Sequence, residues 1–315
     1  MIVTLTANPS LDRTIVLGSA LRPGEVQSAA STREDAGGKG INVARVIAAA
    51  GVDAIAVLPL AIDDPFDAAL RSSGVTAKRV PIHGRARANL TITDPAGVTT
   101  KLNLPGAALD STDRAAVIKA VIAASVGARW LVLAGSLPPG AGADFYVDVV
   151  AAVRGALGDA APLIAVDTSG PALKQVVALA APDLIKPNDE ELAELAGAEL
   201  DGGGDLAGEM LRVARTLVPA RTRAALVTLG PHGAVLITAD GAWHAGAPRI
   251  QVASTVGAGD SSLAGYLLAE VENASPEDRL RRSVRYGAAA ASLPGTQAPT
   301  PQDLPPGEVP VFRLT

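Results

Sequence analysis

Short apolar runs that alternate with helical segments constrain the fold of this 315-residue chain more than any other feature. The runs are IVTLT at 2–6, AIAVLPL at 54–60, WLVLA at 130–134, LIAV at 163–166 and ALVT at 225–228. Between the first two runs, Ile41, Val43, Val46 and Ile47 form the apolar face of a helix. Strands that are apolar on both faces are typical of a parallel sheet covered by helices. The sequence therefore predicts a single α/β domain over 1–315 with a doubly wound, mainly parallel sheet.

Two stretches, about 10–33 and 84–105, instead alternate polar and apolar residues. In the second stretch, ANLTIT and VTTKLNL flank the turn Asp94-Pro95-Ala96-Gly97, which is typical of a β-hairpin. A half-apolar sheet is unstable alone. We therefore expect a small antiparallel β lid that covers the active site, forms a homodimer with a second subunit, or does both. Further predictions are a glycine-rich loop over 201–205 and an extended proline-rich tail over 296–315.

Composition argues against several classes of protein. The net charge of −5 and the lack of a basic run argue against nucleic-acid binding. No apolar run has membrane-spanning length and no signal-peptide pattern is present, so we expect no membrane partner and a cytoplasmic location. The absence of cysteine excludes disulfides, thiolate zinc sites and a cysteine nucleophile. His83, His232 and His244 lack metal-ligand spacing and receive no catalytic role.

Glycine, proline and small polar residues follow nearly every predicted strand. These segments are NPSLD at 8–12, GSLPPG at 135–140, DTSG at 167–170, KPNDEE at 186–191 and LGPHG at 229–233. Turns favour such residues, but ligands of open α/β sheets bind beyond the carboxyl ends of the strands. The shared position predicts a binding crevice at this edge of the sheet.

Two glycine-rich segments, GGKGIN at 37–42 and STVGAGDSS at 254–262, lead into predicted helices. Glycine lets a ligand approach the backbone closely, and the first amides of a helix bind anions. Neither segment matches the Walker A motif or the G-x-G-x-x-G dinucleotide fingerprint. The segments therefore predict anion binding without the common nucleotide motifs, and they argue against an NAD-dependent enzyme.

Five motifs in order, DAGGKGINVAR, GSLPPG, IKPNDEEL, VTLGPHG and STVGAGDSS, resemble those of the ribokinase-like carbohydrate kinases of the phosphofructokinase B group. The resemblance covers residues 1 to about 297. It implies a ribokinase-like fold, ATP and Mg²⁺ as cofactors, and a monovalent cation as a further candidate. The implied reaction transfers the γ-phosphoryl group of ATP to a hydroxyl of a phosphorylated ketohexose.

The motifs divide between subgroups that use different acceptors. TLTANPSLD at 4–12, GEV at 24–26 and the lysine of GGKG resemble 1-phosphofructokinase, which converts fructose 1-phosphate to fructose 1,6-bisphosphate. LPGAAL at 104–109 and DTSGPAL at 167–173 resemble the minor bacterial 6-phosphofructokinase, and tagatose-6-phosphate kinases share both patterns. Fructose 1-phosphate is the favoured acceptor, with fructose 6-phosphate and tagatose 6-phosphate as alternatives.

The resemblance implies a catalytic role for the segment that ends in Asp260. This carboxylate is the expected general base for the acceptor hydroxyl, and a simple helix cap is the structural alternative. The amides of Gly257, Ala258 and Gly259 are expected to form an anion hole for the transferring phosphoryl group.

The expected sugar site is centred on Asp12, because a carboxylate can accept two hydrogen bonds from a diol. The matched motifs add Gly37, Gly38, Asn42 and Ser136. A phosphate on the substrate needs a local cation in this acidic protein, and Lys39 and Arg87 are the best candidates, with Arg85 as the nearest competitor to Arg87.

The expected nucleotide site includes Lys186 and the N-x-x-E region. Asn188 and Glu191 lie one helical turn apart, so both can face the water shell of one Mg²⁺ ion. Thr228, Gly230 and Gly233 are expected to line the path of the phosphates and adenosine. Leu293-Pro294 replaces an asparagine that some relatives place near the base, so adenine contacts are left unassigned.

A sugar-phosphate-binding regulator without catalysis is the alternative from another functional class. Asp260 with its glycines argues against it, because a binding protein has no need of a base.

Overall fold

The structure is a computed structural model that describes residues 1–200 and 204–315, so the first part of the loop predicted over 201–205 lies outside the described residues. In chain order the strands are β1 (Ile2–Thr6), β2 (Ser10–Leu17), β3 (Ala29–Gly37), β4 (Ala54–Leu60), β5 (Ala77–Pro81), β6 (Arg87–Thr93), β7 (Thr99–Asn103), β8 (Trp130–Ala134), β9 (Leu163–Asp167), β10 (Leu184–Ile185), β11 (Ala224–Thr228), β12 (Ala234–Thr238), β13 (Ala242–Ala245) and β14 (Val311–Leu314). The helices are α1 (Lys39–Ala49), α2 (Phe66–Ser72), α3 (Ser111–Ser125), α4 (Phe145–Leu157), α5 (Gly170–Leu179), α6 (Asp189–Ala196), α7 (Leu206–Ala214), α8 (Ala258–Val271) and α9 (Pro276–Ser292). Short 3-10 turns lie at Gly158–Ala160, Gly230–His232 and Pro301–Asp303.

The large sheet has the strand order β14-β13-β12-β11-β10-β9-β8-β1-β4-β5. From β5 to β11 the neighbouring strands run parallel, and beyond β11 they run antiparallel. The parallel, doubly wound sheet predicted from the apolar runs is confirmed. Strand order reverses at β1, because the chain first builds outward to β4 and β5 and then continues from β8 on the other side. A crevice at the carboxyl ends of the strands is expected at such a switch point.

Helices cover both faces of the large sheet. Alternate residues of β1 illustrate the two layers, because Ile2 joins the core beneath α1, α2, α8 and α9 whereas Val3 and Leu5 join the core beneath α3 to α7. Among the described residues, no helix combines the length and the apolar character that crossing a lipid bilayer requires.

A separate four-stranded sheet has the order β3-β2-β6-β7. Its outer pairs are antiparallel, whereas its two central strands, β2 and β6, run parallel with Ser10 opposite Arg87. Strand β3 extends to Gly37, beyond the end at 33 that the sequence predicted, and leads directly into α1. The small sheet is therefore joined to the first helix of the large domain through Gly38.

The C-terminal segment corrects the prediction of an extended tail over 296–315. Residues Pro301–Asp303 form a 3-10 turn, and Val311–Leu314 form β14, which pairs antiparallel with β13 at the edge of the large sheet. VFRL contains no proline and is rich in residues that favour strands, but a run of four residues is too short to be recognised from periodicity.

Candidate active site

An open pocket of about 410 Å³ lies between the small sheet, the carboxyl ends of the central strands and the first turns of α1 and α8. It is lined by Ser10, Asp12, Gly38, Lys39, Asn42, Arg87, Asn89, Lys186, Asn188, Glu191, Thr228, Val256, Gly257, Gly259 and Asp260. The sequence predicted the greater part of this set, although the residues come from separate segments of the chain. Three cations and three carboxylates line the pocket, so attraction of an anion depends on where each charge is placed.

The first turn of α8 presents backbone amides at the pocket wall. Gly257 is the N-cap residue with φ +78, a conformation that favours glycine, and no side chain caps this helix. The first intrahelical bond runs from the Ser261 amide to the Gly257 carbonyl at 2.8 Å, so the amides of Gly259 and Asp260 precede it. The Ala258 amide, which was also expected in the anion hole, instead donates to the Thr255 carbonyl at 3.4 Å.

Asp260 lies at the pocket wall with only 7% of its surface exposed. Asn42 Nδ2 donates a hydrogen bond of 2.8 Å to Asp260 Oδ2, which orients the carboxyl group. Burial and the nearby Asp167 carboxylate raise the pKa of Asp260 to about 6, against the opposing effects of Lys39, Asn42 and Lys186. A general base works best when its pKa lies near the operating pH. Because Asp260 caps no amide, the simple helix-cap interpretation is wrong.

Two lysines meet at a carboxylate that the sequence analysis did not assign. Asp167, the last residue of β9, is fully buried and lies 2.7 Å from Lys39 Nζ and 3.2 Å from Lys186 Nζ. Burial alone would raise the pKa of Asp167, but the two lysines lower it below its usual value. Burial would likewise lower the pKa of Lys39, and Asp167 and Asp260 raise it. Lys39 is therefore held as a cation at the pocket.

Asp12 is held on the small sheet by two hydrogen bonds to Oδ1, from Ser10 Oγ at 2.8 Å and from Asn89 Nδ2 at 2.9 Å. Burial raises the pKa of Asp12, while these hydrogen bonds and Arg87 oppose the rise. A Cβ atom at Gly37 would lie 2.1 Å from Asp12 Oδ2, so glycine at 37 makes room for the carboxylate.

Ser10 and Asn89 are site residues that the sequence analysis missed. Ser10 lies two residues before Asp12 and therefore on the same face of β2, a spacing that could have identified it. Asn89 could be found only from the pairing of β2 with β6, in which it faces Asp12.

Arg87 also lines the pocket and its pKa is lowered by burial, whereas its competitor Arg85 is exposed and lies outside the lining.

The N-x-x-E residues also line the pocket, and they begin α6. The Glu191 amide donates to Asn188 Oδ1 at 2.7 Å, and the Asn188 amide donates to Glu191 Oε2 at 3.0 Å, which forms a capping box. Thr228 forms an isolated parallel bridge with Asn188. Part of the N-x-x-E signal is therefore structural.

The carboxylate oxygens near Asn188 and Glu191 can be compared with the ligands that Mg²⁺ takes in proteins. Within residues 1–200 and 204–315, no cluster of three histidine, aspartate or glutamate side chains could hold a metal ion. Mg²⁺ commonly keeps several waters and uses one or two carboxylates together with substrate phosphates. Glu191 fits this arrangement through Oε1, because the capping box uses Oε2.

Five of the predicted site residues lie outside the lining of the pocket, namely Gly37, Ser136, Gly230, Gly233 and Ala258. Ser136 is exposed, and its Oγ lies 3.5 Å from Asn8 Nδ2. Gly233 has a packing role, because a Cβ atom there would lie 1.9 Å from the Ala245 carbonyl oxygen. Gly230 begins the 3-10 turn after β11 with φ +55.

Comparison with known proteins supports an assignment based on this geometry. Residues 6–303 match the family described as pfkB family carbohydrate kinase. A 1-phosphofructokinase of Rhodobacter capsulatus is 32% identical over 307 residues, which cover 96% of this chain and 94% of the relative. The ATP-dependent 6-phosphofructokinase isozyme 2 of Escherichia coli K12 is also 32% identical, over 300 residues that cover 94% of each chain.

Solved structures of phosphofructokinase-2 from Escherichia coli have the same fold. The complex with substrates and products is 31% identical with a TM-score of 0.84, and the complex with potassium is 30% identical with a TM-score of 0.85; each alignment covers 96% of both chains. The tetrameric inhibited form is 31% identical with a TM-score of 0.80 over 92% of both chains. Given this match and the pocket geometry, the chain belongs to the pfkB family of carbohydrate kinases, phosphotransferases that act on a sugar hydroxyl.

Proposed function

We propose that this kinase transfers the γ-phosphoryl group of ATP to fructose 1-phosphate and forms fructose 1,6-bisphosphate. The observation that carries the proposal is the position of Asp260, a buried base with a pKa of about 6 beside the uncapped first turn of α8. A site that only bound a sugar phosphate would have no need for a base at this position.

The proposed reaction begins with deprotonation of the acceptor. Asp260 accepts the hydroxyl proton as the hydroxyl oxygen forms its bond to the γ-phosphorus, and the bond from that phosphorus to the bridging oxygen of ADP breaks. Asn42 keeps the Asp260 carboxyl group oriented through its 2.8 Å hydrogen bond. The Gly259 and Asp260 amides stabilise the negative charge of the transferring group, with the partial positive charge of the helix N-terminus.

The remaining pocket residues are proposed to bind the two substrates. Asp12, supported by Ser10 and Asn89, accepts hydrogen bonds from sugar hydroxyls. Lys39 and Arg87 bind the phosphate of the acceptor. Lys186, Asn188 and Thr228 lie on the proposed nucleotide side.

We also propose that the nucleotide is used with Mg²⁺, which Glu191 would hold through water and which would neutralise phosphate charge.

A monovalent cation is a further proposed cofactor, supported by the solved potassium complex of the Escherichia coli enzyme. Replacement of KCl by tetramethylammonium chloride at constant ionic strength tests it: lower turnover supports the proposal, and unchanged turnover contradicts it.

Fructose 6-phosphate and tagatose 6-phosphate are the alternative acceptors. Relatives named 1-phosphofructokinase and 6-phosphofructokinase isozyme 2 are equally similar to this chain, so the preference for fructose 1-phosphate depends on the TLTANPSLD, GEV and GGKG motifs. A coupled assay of ADP release with each sugar phosphate, corrected for release without acceptor, tests the order. We expect the highest kcat/KM with fructose 1-phosphate. A higher value with another acceptor selects that alternative, and no acceptor-dependent release would favour the regulator.

We propose a homodimer that forms through the small sheet, in which Val16 is 38% exposed and Leu102 is 50% exposed. Light scattering coupled to size exclusion tests this assembly: a dimer that dissociates on substitution of Leu102 by aspartate supports it, and a monomer contradicts it.

Because the reaction consumes ATP, we place the protein in the cytoplasm.

A further inference from the structure

Asp167 occupies the centre of the large sheet at its carboxyl edge. It ends β9, where it pairs in register with Ala134 of β8. On the other side, Ile185 of β10 pairs with Val166, so the next residue, Lys186, emerges beside the carboxylate. The side chain of Asp167 has no exposed surface and lies just behind the pocket.

The two oxygens of this carboxylate contact lysines from separate parts of the chain. Oδ1 accepts a hydrogen bond of 2.7 Å from Lys39, the first residue of α1. Oδ2 lies 3.2 Å from the ammonium group of Lys186, which lies between β10 and α6. One buried anion therefore joins two cations that both line the pocket.

The lysines differ in exposure, and each reaches a different part of the site. The side chain of Lys39 is 38% exposed, so its ammonium group can contact both Asp167 and a ligand in the pocket. The side chain of Lys186 is 5% exposed, and its ammonium group lies 3.3 Å from the position of a Cβ atom added at Gly259. Asp167 thus holds one cation against the first turn of α8 and the other beside the sugar-binding residues.

A lysine has a long, flexible stem and a point charge, so its position is poorly defined without a fixed partner. Removing one partner of a buried ion pair leaves an uncompensated charge and is strongly unfavourable. In this cluster the carboxylate lies on a strand that pairs on both sides, and it is the most rigidly placed of the three groups.

We propose that Asp167 is a positioning residue that fixes the ammonium groups of Lys39 and Lys186 relative to each other, and thereby sets the separation of the sugar-phosphate side and the nucleotide side of the pocket. The inference rests on the proposed assignment of those two sides. Asp167 contacts neither substrate in this account and acts only through the lysines.

The first experiment measures the KM values of Asp167→Asn for ATP and for the best acceptor of the three-sugar panel. We expect both KM values to rise by roughly tenfold or more, because each lysine loses its fixed partner. Asp113→Asn is the matched control, since this carboxylate is also buried but belongs to the capping box of α3 away from the pocket. An increase in only one KM value, or in neither, would overturn the proposal, and so would an equal effect in the control.

A second experiment distinguishes positioning from a purely structural role. Asp167→Asn is introduced into the Lys39→Met/Lys186→Met background, where the groups through which it should act are gone. We expect no further loss of kcat/KM there, whereas the same tenfold loss in that background would contradict the inference.

A third measurement keeps the test decisive if Asp167→Asn does not fold. The two lysines share one carboxylate, so the combined loss in Lys39→Met/Lys186→Met should be smaller than the product of the single losses by about threefold or more. A purely multiplicative loss would overturn the proposal. Calorimetric binding of ADP and of the sugar phosphate to each variant requires no turnover, so its outcome is separable from failure of the proposed reaction.

Discussion

Replacement of Asp260 by asparagine has two opposite consequences that can be worked out from the structure. Asparagine has the same shape and can still accept the hydrogen bond from Asn42 Nδ2, so the fold and the pocket should be retained. It cannot accept the proton of the acceptor hydroxyl. Turnover should therefore fall by roughly 10²- to 10⁴-fold, the usual contribution of a general base.

Stability should change in the other direction. The pKa of Asp260 rises from its usual 3.8 to about 6 because burial and Asp167 disfavour the charged form. The folded state therefore binds the proton more tightly than the unfolded state, and stability falls as pH rises between these two values. At about 1.4 kcal/mol per pKa unit, the penalty is on the order of 3 kcal/mol at pH 8 and roughly half of that at pH 5. Asparagine carries no charge and removes the penalty.

Chemical denaturation of wild-type protein and Asp260→Asn at pH 5 and pH 8, with steady-state turnover at pH 8, tests both consequences. The variant should be more stable at pH 8, and its advantage over wild type should shrink by roughly half at pH 5. Wild-type turnover would remove Asp260 from the role of base. A stability difference independent of pH would show that the carboxylate is not electrostatically disfavoured in the folded state.

Substitutions at Gly37 and Arg87 and the pH dependence of catalysis test other parts of the same pocket. Gly37→Ala should raise the KM for the sugar phosphate by roughly 10- to 100-fold, because the new Cβ atom would lie 2.1 Å from Asp12 Oδ2. Gly155→Ala is the control, since its Cβ atom meets no atom within 4 Å and KM should stay unchanged. Equal KM values for the two variants would contradict the sugar site. Arg87→Met should raise the same KM by roughly 10- to 100-fold through loss of a charge-assisted hydrogen bond, and the exposed Arg85→Met is the control; the reverse result would exchange their roles. The value of kcat/KM should fall as pH is lowered through about 6, the pKa of Asp260, because the protonated carboxyl group can no longer accept the proton of the acceptor hydroxyl. A flat profile from pH 5 to pH 8 would refute this prediction.

The sequence was sufficient to predict most of the parallel part of the fold, because β1, β4, β8, β9 and β11 are apolar runs followed by turn residues. The parallel edge strand β5, with the sequence AKRVP, contains two basic residues and gave no such signal. Strands β12, β13 and β14 extend the sheet with antiparallel pairing. β13 and β14 have only four residues each and gave no comparable signal, and the apolar run of β12 does not reveal the direction in which it pairs. The parallel pairing of β2 with β6 is a long-range contact that local alternation cannot reveal.

The candidate site likewise contains residues that local motifs indicate and residues that only the folded chain brings together. The resemblance to the ribokinase-like kinases implied the roles of Asp260 and Asn42, and both residues, like Lys39, lie in glycine-marked segments at helix starts. Asp167 was passed over because one carboxylate at the end of a strand is an ordinary turn residue until the register of β9 and β10 places Lys186 beside it. Asn188-x-x-Glu191 also matches a helix capping box, a structural function that the motif interpretation did not consider.

A crystal structure with ADP, an aluminium fluoride mimic of the transferring phosphoryl group, and fructose 1-phosphate would show directly whether the first turn of α8 binds the transferring group beside Asp260. We expect the fluoride group within about 3 Å of the Gly259 and Asp260 amides, and the acceptor hydroxyl within the same distance of the Asp260 carboxyl group. Binding of the fluoride group away from the first turn of α8, or an acceptor hydroxyl out of reach of Asp260, would contradict this expectation.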